Sequence, residues 1–471
     1  MRAIRFAFIF CIVPALAAGI FALAAWQPAI DSIEPPSAAS FDPDLVKRGA
    51  ELAAIGNCDV CHTAPGGREF EGGVAIPTPF GTIYSTNITP DHDTGIGGWS
   101  EAAFQRAMRN GVRRDGAYLY PAFPYDHFTL VSDDDDKALY AYLMTRRPVR
   151  AAALENALSF PFNVRLVMVG WNHLFLRPGP YRADTAHDEI WNRGAYLAEG
   201  LGHCGACHTP RNMLGAEKPD DKFAGGEAEG WTAYALNASS PAPVPWSGDA
   251  LFGYLHRGFD ERHGAAGGPM AKVAADLRSV PDADVRAIAT YVAAQSGNPG
   301  AVAGPVAAQV QAQAERGNAI AAANADSQAN VLHAAEAKND DGAAIYTGAC
   351  AGCHEGPRAM PYGGIDLALS SSISGPNANN LINVVLYGLP AAAAAHAPIM
   401  PGFANAIDDG QLAALVRYLR ARFSAKGSWA DIENSVHAAR SAQHAMTASH
   451  APADQATLSG TTQRKTDEAQ R

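Results

Sequence analysis

Six of the seven cysteines in this chain occur in three copies of one pattern, Cys58-Asp59-Val60-Cys61-His62, Cys204-Gly205-Ala206-Cys207-His208 and Cys350-Ala351-Gly352-Cys353-His354. Residues three and four apart share a helix face, so two thiols and the following imidazole can converge on one planar group. This spacing is that of covalent c-type haem attachment. At the Cys and His usage of this chain, one copy arises by chance in roughly a few chains per thousand, so three together are not accidental. Other uses of Cys-x-x-Cys fit less well. A zinc site wants a second ligand pair nearby, and a thioredoxin-like dithiol wants a βαβ setting. Local disulfides would leave the recurring histidine without a role. Cys58, Cys61, Cys204, Cys207, Cys350 and Cys353 are therefore read as the attachment residues of three covalently bound haem c groups, with His62, His208 and His354 as axial iron ligands. Pro65, Pro210 and Pro357 each follow their histidine within three residues. A nearby backbone carbonyl is expected to hold each imidazole N–H and set the ring orientation.

The first cysteines fall at 58, 204 and 350, two equal intervals of 146 residues. Each copy follows a short helical stretch containing a glycine, Gly49, Gly194 or Gly342. Each unit closes with an amphipathic segment that opens on acidic residues: Asp133 to Leu143, Asp282 to Val292 and Asp408 to Leu419. A tyrosine recurs near the end of each, at Tyr142, Tyr291 and Tyr418. A glycine on one helix lets another approach closely, so the first and last helices of each unit are predicted to cross there. The run Asp133 to Asp136 reads as a helix N-terminal charge cluster, with calcium binding as its rival.

The fold predicted is mainly α, with tandem domains at 41–150, 184–297 and 339–425. A connector occupies 151–183, an Ala/Gln/Asn-rich linker 298–338, and a disordered tail 426–471. Within the connector, Phe160 to Phe175 is the most apolar stretch outside the N-terminus. It reads as core or inter-domain packing, or as a contact with a partner or quinone.

The distal ligands emerge from alignment on the closing tyrosines. Met270 lies 21 residues before Tyr291, and Met400 lies 18 before Tyr418; both are loop methionines beside proline. A thioether opposite histidine raises a haem's potential, so both are read as sixth ligands. In the first unit Phe123, 19 residues before Tyr142, fills that slot and cannot bind iron. His127 is the nearest competent side chain and would give a bis-histidine haem of lower potential, with Met144, Met108 and an open site as alternatives.

Arg2 and Arg5 precede an uncharged apolar run from Phe6 to Trp26. Residues 1–26 are an export signal or a retained membrane anchor, and the length, just enough to span a bilayer, favours the anchor. Either takes the protein out of the cytoplasm, which suits thioether formation on reduced thiols. Cys11, inside this run, has no small residue before it and reads as idle. The formal charge of -11 argues against nucleic acid as a partner. No phosphate-binding loop, nucleophile motif or hydrolase signature is present, and His333, His396, His437, His444 and His450 read as solvated, so no catalytic residue is assigned.

From about Phe41 to Phe423 the chain resembles the triple-haem cytochrome c subunits of bacterial membrane-associated periplasmic dehydrogenases. The resemblance is carried by Thr78-Pro79-Phe80-Gly81-Thr82-Ile83-Tyr84-Ser85-Thr86-Asn87-Ile88-Thr89-Pro90, Gly97-Gly98-Trp99-Ser100, Leu119-Tyr120-Pro121-Ala122 and Cys207-His208-Thr209-Pro210-Arg211-Asn212. It implies class I cytochrome c-like domains in an electron-transfer subunit that has no catalysis of its own. Such a subunit accepts electrons from a catalytic dehydrogenase and passes them to the quinone pool or a terminal oxidase. One branch serves alcohol and gluconate dehydrogenases that use pyrroloquinoline quinone or flavin, with Met where this chain has Phe123. The other accompanies molybdenum hydroxylases with iron-sulfur subunits, such as nicotinate dehydrogenase, isoquinoline oxidoreductase and aldehyde dehydrogenases. The Pro-Ala-Phe-Pro-Tyr run, Leu236 to Pro241 and Met360 to Gly364 look more like the second. A competing reading makes the first haem, lacking methionine, an open peroxidase-like site.

Overall fold

The computed structural model describes residues 19, 25–297, 341–355, 364–389 and 399–449. Most of the N-terminal run, the linker, Pro357, Met360 to Gly363, His333, His396, His450 and the end of the tail lie outside the described residues. Taking the longer helices in chain order, α1 is Pro43–Ile55, α2 Glu101–Asn110, α3 Asp133–Met144, α4 Val167–Phe175, α5 Glu189–Glu199 and α6 Gly248–Arg257. They continue with α7 Pro269–Leu277, α8 Asp282–Gln295, α9 Asp341–Ile345, α10 Asn379–Tyr387, α11 Asp409–Phe423 and α12 Ile432–Ser449. The molecule is mainly α. Its few strands are short: β1 Ala75–Thr78, β2 Gly81–Tyr84, β3 Ala157–Leu158, β4 Gly226–Ala228 and β5 Trp231–Ala233.

Side chains set the helix starts. Asp42, Ser100, Ser132, Asp188 and Ser247 each accept a backbone N–H of the first turn, and Asp408 with Gln411 forms a reciprocal capping box. Helices then pair as α1 with α3, α5 with α8, and α9 with α11. A Cβ built on Gly49, Gly194 or Gly342 would lie 2.7, 2.7 or 2.9 Å from the Cβ of Tyr142, Tyr291 or Tyr418, and closer still to the carbonyl oxygen of Ala138, Ala287 or Ala414. The glycine and tyrosine that recur in the sequence are thus the two sides of one helix crossing, repeated three times.

Units one and two share a single core, in which Leu52, Ile55 and Leu139 join Leu197, Leu201 and Ile288. Charged groups bridge the same seam. Arg193 donates to both oxygens of Asp284 at 2.8 and 2.9 Å, Arg48 reaches Asp284 at 3.2 Å and Asp135 at 3.3 Å, and the Tyr196 hydroxyl donates to Asp135 at 2.7 Å. Burial would raise the Asp284 carboxyl, but the two guanidinium groups outweigh it and hold it below the ordinary range. Asp133 to Asp136 form the first turn of α3, with Asp136 ion-paired to Arg109 at 3.1 Å, as a helix N-terminal cluster should be.

The third unit has its own core around Tyr346, Ile382 and Val416. It docks on the β4–β5 hairpin: Thr232 donates its N–H to Asn380 at 2.8 Å and accepts from the same amide at 2.9 Å, and Asn383 donates to the Gly230 carbonyl at 3.0 Å.

Two expectations change. Residues 432–449 form α12 rather than a disordered segment; Ile432 and Val436 are buried against the third core, and the Tyr387 hydroxyl donates to the Ala439 carbonyl at 2.8 Å. Two apolar residues four apart dock one face of the Ala-rich helix, and Arg440 and Glu433 add ion pairs to Asp409 and Arg417. The stretch 160–175 is only half core. Met168 and Trp171 on α4 are buried against Tyr118 and Tyr125, while Phe160, Val164, Leu166, Val167 and Leu174 are exposed. Among the described residues no helix is long and apolar enough to cross a membrane.

Candidate haem-attachment sites

Each attachment motif is a single helical turn, and the first two are entered through an unusual backbone. Asn57 and His203, immediately before Cys58 and Cys204, have φ of 49° and 32°. This left-handed step lies between the preceding helix, which ends at Ile55 or Glu199, and the attachment turn, and it redirects the chain there. None of the six cysteines is in a disulfide. Burial pushes the Cys58 and Cys204 thiols up to about 12, helped by the second cysteine of each pair. A redox dithiol is activated by the opposite shift.

The three histidines share one geometry. Nδ1 of His62 lies 2.6 Å from the Thr86 carbonyl, Nδ1 of His208 is 2.6 Å from the Tyr234 carbonyl, and Nδ1 of His354 is 3.0 Å from the Ile365 carbonyl. The proton must sit on Nδ1 to donate there, which leaves the Nε2 lone pair free for a metal. Burial lowers the basicity of His62 and His208, and the carbonyl only partly offsets it, so both rings stay neutral. The carbonyls come not from the prolines behind the motifs but from chain farther on. In the first two units they follow the hairpins β1–β2 and β4–β5, whose second strands end at Tyr84 and Ala233. A hydroxyl fixes the same loop in both: Thr63 accepts from Phe70 N–H and Thr209 from Phe223 N–H, each at 3.1 Å.

A cavity of about 520 Å³ runs between the second and third units. Its wall contains Cys204, Cys207, His208 and Met270 on one side, and Cys350, Cys353, His354 and Met400 on the other. Met270 is the second residue of α7, placed by Gly268 at φ 53° and Pro269. Met400 is held by an antiparallel bridge to Leu389. The structure therefore brings each of these methionines into the same cavity as its motif. Cys61 of the first motif, with Val60 and Asn57, also reaches this wall.

The first unit is different. Phe123 turns into the core, its ring 5.1 Å from that of Phe128. His127 is not available to an iron: Nδ1 donates to the Glu199 carbonyl at 2.7 Å and Nε2 meets the Glu217 carboxylate at 2.6 Å. It lies against the second motif, close to Gly205. Burial alone would lower its basicity, but Glu217 reverses that and raises it, while the charged imidazole holds Glu217 below the ordinary carboxyl range. The assignment of His127 as the sixth ligand of the first haem is thus corrected, because an ion pair with the neighbouring unit occupies the ring. Sequence proximity to the methionine slot had suggested it; its partner, Glu217, is 90 residues away. Asp126, His127 and Glu217 together are the one group among the described residues with metal-ligand spacing, and the ion pair accounts for it. Of the alternatives, Met108 is buried on α2 three residues before Gly111, the register in which Leu255 precedes Gly258 on α6 and lines the cavity between the second and third units. Met144 is buried at the end of α3.

Paired thiols beside a neutral imidazole with a free Nε2, facing an apolar cavity, fit a covalently bound haem c. The comparisons agree. Residues 337–419 match the family model described as cytochrome C oxidase, cbb3-type, subunit III. A nicotinate dehydrogenase subunit of Pseudomonas putida is 46% identical over 408 residues, covering 86% of this chain and 32% of the relative, so the chain spans about a third of that protein's length. The fructose dehydrogenase cytochrome subunit of Gluconobacter japonicus is 38% identical over 83% of this chain and 81% of its own length. For the gluconate 2-dehydrogenase cytochrome c subunit of Pantoea cypripedii the figures are 36%, 82% and 86%. The chain belongs to the family of cytochrome c subunits of dehydrogenases, proteins of electron transfer.

Proposed function

We propose that this protein holds three haem c groups and relays electrons from a periplasmic dehydrogenase of the molybdenum hydroxylase type, acting on an N-heterocycle or aldehyde, to the quinone pool or a terminal oxidase. The observation that carries the reading is the continuous wall on which Cys61, the second motif and the third motif meet. When bound, haem c supplies an iron that exchanges single electrons without bond making. The chain would attach it through Cys58 and Cys61, Cys204 and Cys207, and Cys350 and Cys353. His62, His208 and His354 would be axial ligands oriented by their carbonyl bonds, and Met270 and Met400 would be the sixth ligands of the second and third groups.

The preference for a molybdenum partner rests on two facts. The nicotinate dehydrogenase relative is more similar than the fructose and gluconate dehydrogenase subunits, and Phe123 stands where the other branch is expected to carry Met. Residues 1–26 would anchor the protein to the periplasmic face of the membrane.

The test is stopped-flow reduction of the complete protein by its co-purified dehydrogenase and substrate, with metal analysis of the complex. Reduction of three haems per chain within the turnover time, and molybdenum in the partner, are expected. Haems that stay oxidised would end the relay reading, and a partner containing pyrroloquinoline quinone or flavin instead of molybdenum would move the chain to the other branch.

A further inference from the structure

Helix α4 is apolar on both sides. Its inner face carries Met168 and Trp171 into the small core with Tyr118 and Tyr125. Its outer face, at Val167, Gly170 and Leu174, follows the same helical spacing and is exposed. Phe160 is 82% exposed, and Val164 and Leu166 are exposed beside it. The turn after the second motif extends the surface: Trp171 donates its indole N–H to the Leu214 carbonyl at 3.0 Å, and the neighbouring Met213 is 94% exposed. In α4 Asn172 and the exposed His173 are the polar residues, and the apolar side chains left uncovered around them are large enough to mark an interaction surface.

Two observations say what covers it. Residues 146–182 contain six arginines and one acidic residue, Glu155, in a chain whose formal charge is -11. Arg165 turns inward, donating to the Tyr118 carbonyl and lying over the Tyr120 ring, while the exposed Arg177 and Arg182 follow α4. Second, the apolar N-terminal run ends at this place. The Tyr118 hydroxyl donates to the Ala25 carbonyl at 3.1 Å, while the Tyr118 carbonyl accepts from Arg165 at 2.8 Å, so one tyrosine ties the end of the run to the α4 segment. Trp26, the last residue of the run, is 70% exposed, as an aromatic at a membrane boundary is. Apolar side chains flanked by exposed arginine, beside a segment long enough to enter a bilayer, have the composition of a surface that lies in the headgroup layer of anionic lipid.

We infer that the outer face of α4, with Phe160, Val164, Leu166 and Met213, is a second membrane contact. It rests on the lipid bilayer next to the N-terminal anchor and so fixes the orientation of the haem units over the membrane. The inference rests on the anchor reading of residues 1–26 for its location, and the experiment separates the two. The complete holoprotein is incorporated into vesicles of phosphatidylcholine and phosphatidylglycerol that contain a phospholipid with a photoreactive acyl chain, and labelled peptides are mapped by mass spectrometry. Label is expected in peptides covering 6–26 and in those covering 160–175. In Val167→Glu/Leu174→Glu, label at 160–175 should fall about tenfold, since two lipid-facing apolar side chains are lost, while label at 6–26 and the haem spectrum stay unchanged. Label at 6–26 alone overturns the α4 contact and leaves the anchor standing. Label at 160–175 without 6–26 supports the contact and removes the anchor. Protection of 160–175 from hydrogen exchange on addition of the dehydrogenase, with no lipid label there, assigns the face to the catalytic partner and overturns the proposal.

Discussion

The first and second units are built alike on one side of their attachment turns and unlike on the other. Both enter the motif through a left-handed residue, both hold the histidine Nδ1 on a carbonyl at 2.6 Å, and both cross their helices at a glycine. At the position aligned on the closing tyrosine, the second unit carries Met270 at the start of α7, in the same cavity wall as His208, and the first turns Phe123 inward onto Phe128. The histidine side is fixed by residues close in sequence plus one returning carbonyl. The far side depends on a single loop, which can change without disturbing the rest. A protein built this way can set the potential of each haem separately while keeping one scaffold.

The largest expected effect lies in what the units share. Gly49→Ala and Gly194→Ala each place a methyl against a backbone carbonyl that cannot turn aside. Each should cost about 3 kcal/mol, the upper part of the range for overpacking. Thermal unfolding of the holoprotein measures this, and a loss below about 0.5 kcal/mol at either site would show that the crossing tolerates a side chain and is not the common element. Next comes the difference itself. Phe123→Met should raise the potential of the first haem by on the order of 0.1 V, a fraction of the roughly 0.8 V that axial ligands span. Met270→Phe should lower the second haem by a similar amount, and redox titration followed by visible spectra reads both. If Phe123→Met leaves the spectrum unchanged, a residue such as Met108 already holds that position.

The shared side was the legible one. Cys-x-x-Cys-His, the recurring glycine and the closing tyrosine are all set by short-range spacing, so the sequence alone places them, and the helix crossing at Gly49, Gly194 and Gly342 follows from the absence of a Cβ. What stayed hidden depends on distance. The carbonyls of Thr86 and Tyr234 are 24 and 26 residues beyond their histidines, and no composition marks a backbone oxygen. Glu217, which takes His127 out of contention, belongs to the next unit. The apolar part of the α12 docking is Ile432 and Val436, too few residues to stand out in an Ala/Ser-rich tail, and its polar contacts, such as Tyr387 to the Ala439 carbonyl, are long-range. The two-sided α4 was visible as an apolar stretch, but only burial separates Met168 and Trp171 from Val167 and Leu174.

A smaller effect tests how the two unlike sides communicate. Asp276 on α7 lies within the influence of Asp59, inside the first motif, so the helix that presents Met270 and the first attachment turn meet through two carboxyl groups. Burial, and then the charge of Asp59, push the Asp276 carboxyl up to about 7. Its folded pKa therefore lies above the unfolded value of 3.8, and the folded state holds the proton more tightly. The pair favours folding while Asp276 is protonated, and that contribution declines as pH rises from about 4 through 7, because the unfolded chain then releases the proton more readily. Asp276→Asn keeps a donor to Asp59 and removes the second charge. The variant should match the parent near pH 4 and exceed it by about 1–2 kcal/mol at pH 8, with a correspondingly flatter stability profile. Equal pH slopes for variant and parent would show that the two carboxyl groups do not act on each other, leaving the first two units joined by their common core, the Arg48, Arg193 and Asp284 bridge and the His127–Glu217 pair.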